Sequence, residues 1–194
     1  MYSTPKHKVF LSFHHEDEQE VRAFERQFSE NVDTFVSKTV QDGDIDPYLK
    51  TDTIRQKIRD QFISDSTVTI VLIGAETWKR KHVDWEIGYS LTSTSQNTRS
   101  GLIGILLPSY NTHNYFCNSE YTENHSRYTP CTIPPRLYDN IQSGYAKIYS
   151  YPFNSYELKQ WIHEAFLTRK QKNPDNNRDY FGHNRPEYQT HWTD

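Results

Sequence analysis

The chain has 194 residues, enough for one domain with a real core. A net charge of −3, with lysine and arginine scattered, leaves no basic footprint for nucleic acid or for an acidic membrane surface. No apolar run approaches membrane-spanning length and the polar start up to His7 is not a signal peptide, so a soluble cytoplasmic protein is expected.

In chain order, residues 8–13 form a short apolar run with β-favouring side chains, the first predicted strand. The acidic stretch 16–20 suits the positive end of a helix dipole, and Val21, Phe24 and Phe28 recur on one helical face. Residues 34–36 are a short strand candidate leading into a loop over 41–47, marked by Gly, Asp and Pro. Ile54, Ile58 and Phe62 predict a helix over 52–63. The apolar run 68–73 is the third strand. The helix after it carries Glu86 and frays into the Ser/Thr-rich stretch 92–96. Residues 101–107 are continuously apolar, as in a parallel strand buried on both faces. Residues 108–140 hold Pro, Asn, Tyr and Ser with little periodicity and are expected to be a long loop or insertion. An edge strand over 145–151 and a closing helix over 155–168 follow, the helix with Leu158, Trp161, Ile162 and Ala165 on one face. The polar residues 170–194 are expected to be a tail that wraps the surface or is disordered. Cys117, Cys131 and the nine histidines show no ligand spacing, so no metal is expected.

Strands alternating with helices imply right-handed crossovers and a parallel sheet covered on both sides. The expected fold class is α/β, a flavodoxin-like three-layer α/β/α arrangement with five parallel strands in the order 2-1-3-4-5. Its switch point lies between strands one and three, and ligands bind at the carboxyl ends of the strands. Topology alone then sets the segment Ser12-Phe-His-His15 beside residues 74–86. At 100° per residue Val83, Ile87 and Leu91 share a face, and Glu86 falls about 100° from its centre. A carboxylate there borders the core and can line a pocket, or it is simply a solvated helix glutamate. Trp85 and Tyr89 point away from the core. Ser12 reads as a small inward filler. Phe13 and His14 end the first strand, either at the crevice or packed beneath the first helix. Trp78 stacks a base or joins the core. Asp17 complements the charge of its helix.

Phe10-Leu-Ser-Phe-His-His-Glu-Asp17 resembles the first box of TIR domains, an F-L-S-[FY] strand end followed by a short loop and an acidic residue. Residues 66–87 contain Thr69-Ile-Val-Leu-Ile-Gly74, then Trp78-Lys-Arg80, then Val83-Asp-Trp-Glu-Ile87. That order resembles the TIR-like proteins of bacterial Thoeris anti-phage systems. The resemblance covers residues 8–107 and extends in layout to a domain over 1–169. It implies an enzyme that cleaves NAD between nicotinamide and ribose, with NAD as substrate rather than cofactor. Glu86 takes the catalytic position, and Phe13, His14, His82 and Trp85 the substrate-binding positions. Many relatives carry Trp four residues before the glutamate, where this chain has His82. One helical turn from Glu86, it either tunes the carboxylate or starts the helix as a polar residue. The family also implies self-association, a cyclic or conjugated ADP-ribose product, and an effector protein that senses this diffusible nucleotide. Relatives often need assembly or a trigger, which implies weak turnover by the protein alone. Two alternatives stay open: a non-catalytic TIR interaction module, and a nucleoside deoxyribosyltransferase-like enzyme. A phospho-accepting receiver is disfavoured because the third strand ends Leu72-Ile-Gly74, without an aspartate.

Overall fold

Strands β1 (His7–Ser12), β2 (Phe35–Lys38), β3 (Val68–Ile73), β4 (Gly101–Leu106) and β7 (Ala146–Tyr149) lie side by side in the order β2-β1-β3-β4-β7. The computed structural model describes residues 5–30, 35–38, 63, 65–93, 98–111 and 117–193. The loop expected over 41–47 and nearly all of the helix expected over 52–63 lie outside them. Among the described residues every neighbouring pair in this five-stranded sheet is parallel, with Leu11 opposite Ile70 and Ile70 opposite Ile103. This is the flavodoxin-like order.

β3 and β4 are buried along their whole length, which explains why both read as unbroken apolar runs. Alternate residues serve opposite faces. Ile70 and Leu72 join Val9, Leu11, Ile103 and Ile105 under α1 (Glu18–Glu25) and α4 (Ser155–Gln171). Val71 and Ile73 join Leu102, Leu106 and Ile148 under α2 (Lys81–Ser90) and α3 (Pro135–Gln142). Asn154 caps α4 by accepting the Glu157 backbone N–H at 3.0 Å. No helix among the described residues is long and apolar enough to cross a membrane.

The stretch over 108–140, expected to be a long loop or insertion, contains regular elements where it is described. Glu120–Tyr121 (β5) pairs antiparallel with Arg127–Tyr128 (β6), a 3-10 turn follows at Pro130–Thr132, and α3 begins at Pro135. Pro134 and Pro135 open this helix. Proline fits the first turn, where its missing N–H has no intrahelical acceptor. Cys117 and Cys131 form a disulfide across this region.

After α4 the chain runs back as an irregular segment over α2 and α3 and stays there by hydrogen bonds. Asn140 Nδ2 donates to the Asp175 carbonyl at 2.7 Å, and the Asp175 N–H returns to Asn140 Oδ1 at 3.0 Å. Asn176 Nδ2 donates to the Gly88 carbonyl at 3.0 Å. Trp192 fastens the far end, its backbone N–H on the Cys131 carbonyl and its indole on the Ile133 carbonyl. Beneath the segment Arg136 and Asp84 form a fully buried pair. Arg136 Nε lies 2.9 Å from Asp84 Oδ1, and the remaining guanidinium nitrogens reach Asn176 Oδ1 and the Asp179 carbonyl.

Candidate active site

The loops after β1 and β3 are tied together at the carboxyl end of the sheet. Thr77 Oγ1 accepts the Gly74 N–H at 2.9 Å and donates to Asp17 Oδ2 at 3.1 Å. A side chain at Gly74 would run into the Asp17 carboxylate, so glycine is what lets the two loops meet. Asp17 is therefore a cross-loop clasp as well as a helix-start charge. Burial pushes its carboxyl above the usual range, and the Thr77 hydroxyl works against that shift.

Glu86 sits in the second turn of α2, 7% exposed, with Ser12 Oγ donating to its Oε2 at 2.6 Å. Its neighbours Val83 and Ile87 are in the core, so the helix cannot turn it outward without exposing them. Burial pushes the Glu86 carboxyl up to about 8, opposed by the Ser12 hydrogen bond. A helix glutamate in water has neither feature. The carboxyl is desolvated and held by one directed donor.

His14 lies two residues beyond Ser12 and is 2% exposed. Its Nε2 is buried with no hydrogen-bonding partner among the described residues, Glu16 Oε2 standing 3.4 Å away. Burial, then the positive charge of Arg80, depress the imidazole to about 4. At neutral pH it is an uncharged imidazole, two residues from the serine that holds Glu86. Donor atoms of His14, His15 and Glu16 lie within 4.8 Å of one another. The same Arg80 charge works against a cation there.

The other expected contacts fall elsewhere. Phe13 alternates with Ser12 along the strand and is half-buried against the core under α1 and α4, on the sheet face opposite Ser12. Trp85 does point away from the sheet, but it is buried beneath the C-terminal segment and its indole N–H donates to the Phe181 carbonyl at 2.8 Å. His82 is exposed, with its ring edge-on to Trp85 at 6.3 Å. Trp78 is a core residue.

Ser12, read from sequence as a filler, is the partner of Glu86. The signal was present: β1 alternates, and Val9 and Leu11 take the α1 face, so Ser12 had to face α2. Two further residues had no such signal. Lys79 and Arg80 are residue types that ordinarily stay in water, yet they are 3% and 8% exposed. Lys79 Nζ meets Glu76 Oε2 at 2.6 Å and the Glu187 carbonyl at 2.7 Å, and Arg80 Nη1 meets Glu187 Oε1 at 3.0 Å.

The model of a family described as Thoeris protein ThsB, TIR-like domain, matches residues 10–112, just over half of the chain. The matched span runs from the middle of β1 past β4. It takes in Ser12, His14, the Asp17–Thr77 clasp and Glu86, and stops short of α3 and the segment laid over it. With this span matched and the sheet order as described, the chain belongs to the Thoeris ThsB family of TIR-like proteins.

Proposed function

We propose that this protein cleaves NAD at the nicotinamide–ribose bond, with Glu86 as the catalytic carboxylate. The observation that carries the reading is the burial of Glu86 at the carboxyl end of the sheet, held by Ser12. A scaffold that only assembles with other domains has no use for such a group. Keeping a carboxyl out of water, so that its pKa is pushed up to about 8, costs folding stability. That expense makes sense where a charge is to be stabilised.

In NAD the nicotinamide ring carries a positive charge. Its arrival beside Glu86 favours the carboxylate, because a nearby opposite charge lowers a carboxyl pKa. The C1′–N1 bond then breaks with its electron pair going to nicotinamide, which leaves neutral. Positive charge moves to the ribose as an oxocarbenium-like centre, as in glycoside hydrolysis. The carboxylate faces that centre while Ser12 holds it in place. A nucleophile adds to C1′ and loses its proton: water gives ADP-ribose, a group of the same dinucleotide gives a cyclic product, and another small molecule gives a conjugate. The product serves as a diffusible signal for an effector protein in anti-phage defence, and the enzyme works in a self-associated form.

The test is Glu86→Gln, assayed for nicotinamide release from NAD and melted on the same preparation. Loss of one such preorganised charge is expected to cost about 10²–10³ in rate, roughly 3–4 kcal/mol. A variant that melts like the parent and cleaves NAD at a similar rate overturns the assignment. Base exchange on a deoxynucleoside, with NAD untouched, would make the protein a deoxyribosyltransferase instead.

A further inference from the structure

Lys79 and Arg80 are unusual because they are buried cations whose charge is only partly answered. Lys79 has Glu76. Among the described residues Arg80 has one ion-pair contact, to the Glu187 carboxylate, and its Nε is buried with no hydrogen-bonding partner. Glu187 is itself 71% exposed, so it reaches in from solvent and is cheap to rehydrate. A buried guanidinium offers a planar fork that matches two anionic oxygens at once, and here a single Glu187 oxygen fills one arm of it.

The surroundings add backbone donors. The segment around Glu187 caps α2: Asn184 Oδ1 accepts the Lys81 N–H at 2.9 Å, and the Arg185 N–H donates to the Lys79 carbonyl at 2.8 Å. Lifting residues 184–187 frees the first N–H of α2 beside Arg80, which together make a good receptor for phosphate oxygens. Arg80 lies six residues before Glu86, about 9 Å along the helix axis at ~1.5 Å per residue. That is the order of spacing between a ribose at Glu86 and the diphosphate joined to its 5′ carbon. His14 links the two places, near enough to Arg80 to feel its charge and two residues from the Ser12 that holds Glu86.

We propose that Arg80, with Lys79 and the amino end of α2, is the subsite for the diphosphate of a dinucleotide, and that Glu187 of the C-terminal segment occupies it until the ligand displaces it. The identity of the dinucleotide rests on the reading of Glu86 given above; the subsite does not. The segment then acts as a competing internal ligand. A diphosphate carries more charge and more acceptor oxygens than one exposed carboxylate, so it wins the exchange.

The test measures binding of ADP and of adenosine by calorimetry to the parent, Glu187→Gln, Arg80→Gln and Arg80→Lys. Glu187→Gln should bind ADP about tenfold more tightly and Arg80→Gln about tenfold more weakly, with Arg80→Lys between parent and Gln and adenosine moved by none of them. Unchanged ADP binding in Glu187→Gln overturns the proposal. So does an equal gain for adenosine, which would make the segment a steric cover with no anion site beneath it. If Arg80→Gln is too unstable to assay, Glu187→Gln and Arg80→Lys still decide. Nicotinamide release separates the two readings. ADP binding that follows Glu187 and Arg80 in a protein that leaves NAD intact keeps the subsite and removes the catalytic reading. NAD cleavage with an unaltered KM in Glu187→Gln and unaltered ADP binding does the reverse.

Discussion

On one face of the sheet α1 and α4 close over β1, β3 and β4 with almost wholly apolar side chains, from Val21 and Phe24 to Leu158 and Ile162. On the other face α2 and α3 bury an apolar stripe too, and then carry a second layer of their own, the C-terminal segment. The joint between those layers is polar: Asp84, Arg136 and Asn140 are buried there, with Tyr180 stacked between Tyr89 and the Arg136 guanidinium. Apolar contact is non-directional and tolerates small shifts. A buried ion pair holds only in one geometry and fails badly when half of it is removed. The first face is built to stay closed, and the joint at Arg136 is built from directed contacts that hold in one geometry or open. Glu86 belongs to the second face.

The sharpest way to break this contrast is Arg136→Ala. Removing one partner of a buried pair typically costs about 3–5 kcal/mol, because the other charge is stranded. Here the segment can lift and let water reach Asp84, so much of the loss should appear as local opening. Limited proteolysis should then cut residues 172–193 far faster than in the parent, ahead of global unfolding. Proteolysis at the parental rate, with only the melting temperature lowered, would mean that the joint is as rigid as the core.

Leu158→Ala is the matching experiment on the apolar face. A fully buried leucine cut to alanine loses about 2–5 kcal/mol. The loss should show as a lower melting temperature, with the segment no more open than the lowered stability requires. Selective cutting of 172–193 in this variant would show that the two faces are coupled.

The smallest effect lies in pH. Folded Glu86 keeps its proton up to about 8, whereas the unfolded chain releases it near 4.5, so its contribution to stability falls as pH rises between those values. His7 and His14 act in the opposite sense. Both are depressed from 6.5 to about 4, so the unfolded chain takes up their protons first and stability is lost as pH falls below 6.5. Between 6.5 and 8 only the glutamate slope of these three remains, and Glu86→Gln should flatten it in a series of melting curves. In the parent kcat/KM for NAD should rise through about pH 8, where free Glu86 becomes a carboxylate.

Legibility in the sequence followed the same division. The unbroken runs at β3 and β4, and the helical periods of α1 and α4, mark the apolar face directly. Glu86 was placed at the edge of its helix's core stripe by angle alone, and Ser12 meets it there. Helix α3 was hidden because it opens on two successive prolines, Pro134 at the cap and Pro135 in the first turn. The C-terminal segment was expected to wrap the surface or be disordered, and what holds it was hidden because it is held through backbone groups, one asparagine at a time, and such contacts leave no period. Trp85 was rightly turned away from the sheet, but nothing in the chain said that Phe181 would cover it.

Gly88 lies two residues after Glu86, and a side chain there would strike the Tyr180 ring. A glycine inside a helix costs about 1 kcal/mol relative to alanine, so α2 is a poor helix by its own propensity. The segment around Tyr180 is what splints it: Asn176 holds the Gly88 carbonyl, and Tyr180 fills the space that the missing side chain leaves. The same strand of chain therefore has two trades. Residues 176–181 pack on the helix beside Glu86, and residues 184–187 sit on the Arg80 end. Between them lies Gly182, exposed, with no atom within 4 Å of where a side chain would stand. A movement that uncovers Arg80 can stop at that point, leaving the splint in place and the carboxylate on target.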